Sequence, residues 1–277
     1  MENDLLTKDV YITEELKSRL VGCLCRKTGL EWYMFRRKVD ITQAIKQYVM
    51  ETVECFDETE ISFDGFDDYN EAAETCLAPY PYNRNVRLTF KLTEDEALEI
   101  KRLCKRKGYQ QETNVLNVIL FALANSGKKL SASLSDFADF FLGQNYVTLF
   151  HVPSEIFRKI ENCPGSNYKG NHRFFFKKVL FWQIKFGETP AIAENDENYF
   201  RVTPQKTNWR TISFCSSAET KNFISNKKYG STLNVAFLNA VNAYINRAEI
   251  SYLEKQDADY ENSGVSSKKE LVEALPL

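Results

Sequence analysis

One pattern recurs four times along this chain: a short strand, a charged helix, a Gly or Asn turn, and a second, more apolar helix. The clearest copies are VRLTFKLTEDEALEIKRLCKRKGYQQETNVLNVILFALANSG at 86–127 and WRTISFCSSAETKNFISNKKYGSTLNVAFLNAVNAYINRA at 209–248. A unit of one strand and two helices is too thin to enclose a core, so the copies must pack on one another. The repeat is therefore first a statement about architecture.

The divisions follow from the pattern. Residues 1–56 form a degenerate first repeat, 57–83 an acidic insertion, 84–127 the best copy, and 128–144 a linker with a short helix over 134–142. A degenerate third repeat covers 145–188, a linker 189–207, the fourth repeat 208–250, and an acidic tail 251–277. In the first repeat a strand opens at Val10-Tyr11-Ile12, and Asp40 suits the cap of the second helix. In the second, Val86, Leu88, Phe90 and Leu92 alternate with Arg87, Thr89 and Lys91, so the two sets lie on opposite faces. Thr93 with Glu96 makes a capping box, and Gly108 stops the helix. The helix from about Thr113 to Asn125 is almost continuously apolar and must be central. The helix of the fourth repeat is expected to end near Glu254, with the remaining tail disordered.

Charge is segregated. Residues 51–77 hold ten acidic residues and no basic one, and 249–277 hold seven acidic and three basic. Setting aside these fourteen net negative charges leaves the rest of a chain of formal charge -2 at +12. A basic body with acidic appendages is compatible with a polyanion partner. The Phe and Tyr content of the insertion argues that it folds back on the body, as an acidic surface or as an internal mimic of DNA over a basic face. No apolar run approaches the roughly 20 residues of a membrane span, and the acidic start does not read as a secretory signal. The expected compartment is the cytoplasm.

The order of elements in residues 86–125 and 209–247, and more loosely in 9–52 and 146–186, resembles the ribbon-helix-helix family of DNA-binding proteins. The resemblance implies a mainly α fold with short β-strands, in which tandem ribbon-helix-helix repeats form pseudo-dimers. Two strands would pair into an antiparallel ribbon that enters the major groove, and the start of each second helix would meet a phosphate. Carried onto this sequence, it implies that Arg87, Thr89 and Lys91 touch base edges. Arg and Lys suit guanine, and Thr can donate, accept or meet a thymine methyl.

In the fourth repeat the same resemblance assigns Thr211 and Ser213, beside Trp209, to the reading face, with Arg210 next to it in reach of a phosphate. The turn Gly230-Ser231-Thr232, and Lys107 ahead of Gly108, fall where the family clamps phosphate; plain helix capping fits both turns as well. The first repeat offers Asp9 and Tyr11 on this face, and the third offers Val147, Leu149 and His151, so neither strand reads as a base reader. Neighbour pairing of strands would put one polar and one poor face in each ribbon, whereas pairing the second repeat with the fourth would unite the polar faces.

Catalytic and metal signatures are missing. His151 and His172 are the two histidines, and neither has metal-ligand spacing to a second histidine or a cysteine pair. The seven scattered cysteines contain no CxxC pair and read as reduced thiols. Arg36, Arg37 and Lys38, next to Trp32 and Tyr33, fit a second nucleic-acid contact or a loop with snorkelling cations. The expectation is a non-enzymatic, cofactor-free protein that binds double-stranded DNA, as a repressor, a plasmid-partition protein or a DNA-transfer accessory factor. Self-association or a protein partner at the acidic insertion is a further expectation. The alternative is a protein-interaction scaffold that kept the repeat and lost DNA binding.

Overall fold

The structure, a computed structural model, describes residues 5–34, 38–77, 84–125, 127–143, 146–162, 172–186, 209–216 and 233–262. It is mainly helical, with short antiparallel strand pairs. Strand β1 (Leu6–Ile12) leads into α1 (Glu14–Thr28), which Thr13 caps by accepting the Leu16 amide at 3.1 Å. Gly29 ends α1 at φ +68, a left-handed conformation that favours glycine. A single 3-10 turn (Trp32–Met34) precedes α2 (Lys38–Glu54). The strand is thus longer than the three residues expected. Asp40 lies inside the first turn of α2 and not at the position before the helix, where it was expected.

The best repeat forms as its spacing predicts. In β3 (Val86–Leu92) the four apolar residues are buried, Arg87 and Lys91 are exposed, and Thr89 is half-buried. Both arms of the capping box at the start of α4 (Glu94–Lys107) are made: Thr93 accepts the Glu96 amide at 3.2 Å, and Glu96 accepts the Thr93 amide at 2.7 Å. Helix α5 (Glu112–Ala124) buries Val115, Leu116, Val118, Ile119 and Leu120 completely, and packs on β1, α1, α2 and α4.

Strand β1 pairs with β3 over seven residue pairs, from Leu6 opposite Leu92 to Ile12 opposite Val86. Asp9 faces Thr89 at the centre. Four residues beyond each of these, Thr13 and Thr93 cap the following helix, so the two halves of the ribbon are built alike. The second ribbon joins β5 (Tyr146–Pro153) to β6 (Trp209–Ser216), with Phe150 opposite Ile212. Strands of the first and second repeats pair, and those of the third and fourth. Between β5 and β6 lie α7 (Ser154–Asn162) and α8 (His172–Lys185). Among the described residues the last element is α9 (Leu233–Asn262), which runs eight residues past the end expected from sequence.

The acidic insertion is built into the core. Its strand β2 (Glu60–Phe63) pairs with β4 (Leu130–Ser133) ahead of α6 (Leu134–Leu142), and its helix α3 (Phe66–Leu77) lies against α5 and α8. Ile61, Phe63, Tyr69, Ala72 and Ala73 are fully buried. Phe63 meets the rings of Tyr69, Phe121, Phe137 and Phe186, while Phe66 meets Trp182 and Tyr244. The insertion thereby carries one apolar core across from the first pair of repeats to the second.

Candidate nucleic-acid interface

Pairing places Thr7, Asp9 and Tyr11 of β1 beside Lys91, Thr89 and Arg87 of β3 on one outward face. The other face of β3 is wholly buried and Val10 and Ile12 of β1 join it, which fixes the ribbon to the helices below. Asp9 sits at the centre and accepts two hydrogen bonds. One oxygen takes Arg87 Nη2 at 2.5 Å and the other takes Thr89 Oγ1 at 2.7 Å. The Arg87 hydrogen bond, then that of Thr89, holds the Asp9 carboxyl below the usual carboxylate range, and the hydrogen bond to Asp9, with its charge, raises Arg87. With Lys91 the face keeps a formal charge of +1. The reach of β1 back to Thr7, and the grip of Asp9 on both Arg87 and Thr89, are not legible in the sequence. Each depends on a register that no local pattern encodes.

Behind the ribbon, Lys8 donates to Glu112 at 2.6 Å and ties β1 to the first turn of α5. Gln111, at the N-cap of that helix, makes no side-chain bond to its backbone amides, but its Oε1 accepts from the Asn114 side chain at 3.0 Å. At the preceding turn Lys107 is drawn inward. Its ammonium lies 2.5 Å from Asp57 and 2.6 Å from the Ser135 hydroxyl, with Asp139 at 3.9 Å, and its side chain is 18% exposed. Arg106 reaches the same Asp57 at 3.2 Å. The Lys107 hydrogen bond, set against burial, keeps Asp57 below the usual range. Lys107 thus clamps the insertion and is not presented outward beside the ribbon.

Other acids of the insertion are engaged in the same way. Arg19 binds Glu15 at 2.6 Å, Asp68 at 3.1 Å and Glu71 at 3.3 Å, while Lys128 binds Asp68 at 2.9 Å and Asp64 at 3.2 Å. Arg19, Arg106, Lys107 and Lys128 are among the basic residues that the acidic run neutralises.

The second ribbon has a different face. His151 lies opposite Thr211 with Nδ1 and Oγ1 3.1 Å apart, Leu149 lies opposite Ser213, and Val147 opposite Cys215. Thr211 is exposed and Ser213 half-buried, but Leu149 and Val147 are 62% and 69% exposed. Arg210 is opposite buried Val152, and its guanidinium stacks 5.1 Å from the centre of the Phe157 ring. Gly230, Ser231 and Thr232 lie outside the described residues, as do residues 35–37; nearby Trp32 and Tyr33 are exposed. Among the described residues no group of three His, Cys, Asp or Glu side chains could hold a metal, and no helix is long and apolar enough to cross a membrane. Comparison with protein-family models, curated proteins and solved structures finds no match.

Proposed function

We propose that the chain binds duplex DNA without catalysis, laying the β1–β3 ribbon in the major groove, and that the four repeats act as two pseudo-dimers. The observation that carries this reading is the outer face of that ribbon. It is a solvent-facing two-stranded sheet, apolar beneath, with Arg87, Lys91, Thr7 and Thr89 grouped on top. Such a ribbon fits a groove about 12 Å wide, and these side chains match its donor and acceptor edges. The second ribbon, with Val147 and Leu149 outward, acts as support and reads no bases. Retention of random duplex at low salt, lost on replacing Arg87 and Lys91 together with Ala in a protein that still melts cooperatively, is the expected result. Binding should fall steeply with salt, because each phosphate neutralised releases counterions. Undiminished binding by the double variant would remove the groove assignment.

A second reading, an interaction scaffold, is favoured by one observation: the exposed apolar pair Val147 and Leu149 on the second ribbon. No retained duplex at micromolar protein would select it.

A further inference from the structure

A carboxylate at the centre of a DNA-facing ribbon is costly near phosphate, yet Asp9 occupies that place with both oxygens engaged. Its two bonds orient two of the three outward donors of β3, Arg87 and Thr89. Arg87 would otherwise be a flexible cation able to reach any nearby phosphate; held by Asp9, it is a fixed plane of donors beside a fixed acceptor. Each carboxylate oxygen has a second lone pair, so both can still accept one more donor.

In the major groove one base pair offers the complement of this arrangement. A G·C pair presents the guanine O6 and N7 acceptors next to the cytosine N4 amino group. Arg87 meets the guanine and the free lone pairs of Asp9 meet the cytosine amine. A thymine O4 or a guanine O6 facing Asp9 would set acceptor against acceptor, with both groups stripped of water.

We infer that Asp9 is the specificity-determining residue of the ribbon: it positions Arg87 and Thr89, requires a G·C pair at the ribbon centre with the cytosine amine toward it, and suppresses indiscriminate phosphate binding. The inference rests on the DNA-binding reading and names the feature that the site selects.

The test is selection from a randomised duplex pool with the full chain, run in parallel for the wild type, Asp9→Asn and Asp9→Ser. Thermal melting checks the folding of each, and the two substitutions guard against a fault peculiar to one. The wild type should enrich sites with a central G·C pair. Both variants should lose discrimination at that pair by about tenfold and should hold random duplex more tightly than the wild type. A merely structural contact would move the melting temperature and leave the base preference alone. If folded variants enrich the wild-type motif with undiminished discrimination, the role of Asp9 is overturned and groove reading stands. If the wild type retains no duplex, the groove reading falls and this inference with it.

Discussion

Tyr69 of the acidic insertion donates its hydroxyl to the backbone carbonyl of Lys178 on α8, 2.5 Å away, with its ring fully buried. Burial pushes its pKa well above that of an ordinary phenol. A residue of the insertion is thereby bonded to the second pair of repeats, and Phe63 fills the same junction. Replacing Phe63 with Ala should cost about 3–5 kcal/mol, through lost burial and the cavity left behind. Tyr69→Phe should cost about 1 kcal/mol, the net worth of one hydrogen bond. Urea denaturation checks both; a Phe63→Ala protein as stable as the wild type would mean that the insertion is not part of the core.

Lys107 and the pair Arg87 and Lys91 should behave oppositely. Lys107→Ala breaks the clamp on half-exposed Asp57 and takes one partner from buried Ser135, so the expected loss is modest, about 1–2 kcal/mol. Its duplex affinity should stay close to that of the wild type, whereas Arg87→Ala/Lys91→Ala should keep its stability and lose affinity. Parallel melting and gel-shift titrations separate the two; a Lys107→Ala protein that loses DNA binding at full stability would restore that residue to the interface.

The acid limb of stability follows from carboxylates with displaced pKa values. Burial opposes the charge of Glu96, but the hydrogen bonds from Lys46 and the Thr93 amide outweigh it and hold the group below its ordinary 4.5. Asp57, hydrogen-bonded by Lys107, is held below 3.8. For both the folded value lies below the unfolded one, so the unfolded chain binds more protons in acid. Their stabilisation is complete above about pH 5 and is lost as pH falls through the unfolded values toward the folded ones. Glu71 has the opposite sign. Burial, then its shared hydrogen bond with Glu15, raises it, so its ionisation opposes folding. The urea midpoint should decline below pH 4.5, and Glu96→Gln should make that decline shallower. An unchanged slope in the variant would contradict the Lys46–Glu96 assignment.

Thiol reactivity should divide by environment. Burial, with the nearby Glu112 charge, pushes Cys104 up to about 11, and Cys23 is also buried, while Cys55 is exposed. Under native conditions at mildly alkaline pH, maleimide followed by peptide mapping should find Cys55 modified well before Cys23 and Cys104. Equal rates would mean that α1 and α4 open far more readily than their packing implies.

The parts of the fold legible in the sequence were those encoded locally. The alternation of Val86 to Leu92 and the Thr93–Glu96 box involve residues two or three positions apart, and both appear as expected. What pairing decides could not be read. Arg87, Thr89 and Lys91 read as a trio of outward donors, and only the register with β1 brings Asp9 against two of them. The insertion was legible in part. Its Phe and Tyr residues point back onto the body, where Phe63 and Tyr69 are buried, but the sequence leaves open whether Asp57, Asp64 and Asp68 face solvent or cover a basic face, because their partners Lys107, Lys128 and Arg19 are distant in sequence. Its strand β2 was missed because Ile61, Ser62 and Phe63 are all buried, which removes the alternation that marks a half-exposed strand. On the fourth repeat, Thr211 and Ser213 share a face as read, but the apolar partners Leu149 and Val147 lie beside them.

The central claim is that one ribbon, and not the other, lies in the groove. A photo-crosslinking amino acid placed at Thr7, opposite Lys91 on the first ribbon, or at Leu149 on the second, reports it directly. With duplex DNA at low salt, irradiation should join the Thr7 variant to DNA and leave the Leu149 variant free. Crosslinking from Leu149 as strong as from Thr7, or none from Thr7 in a protein that still retains duplex, would contradict the account.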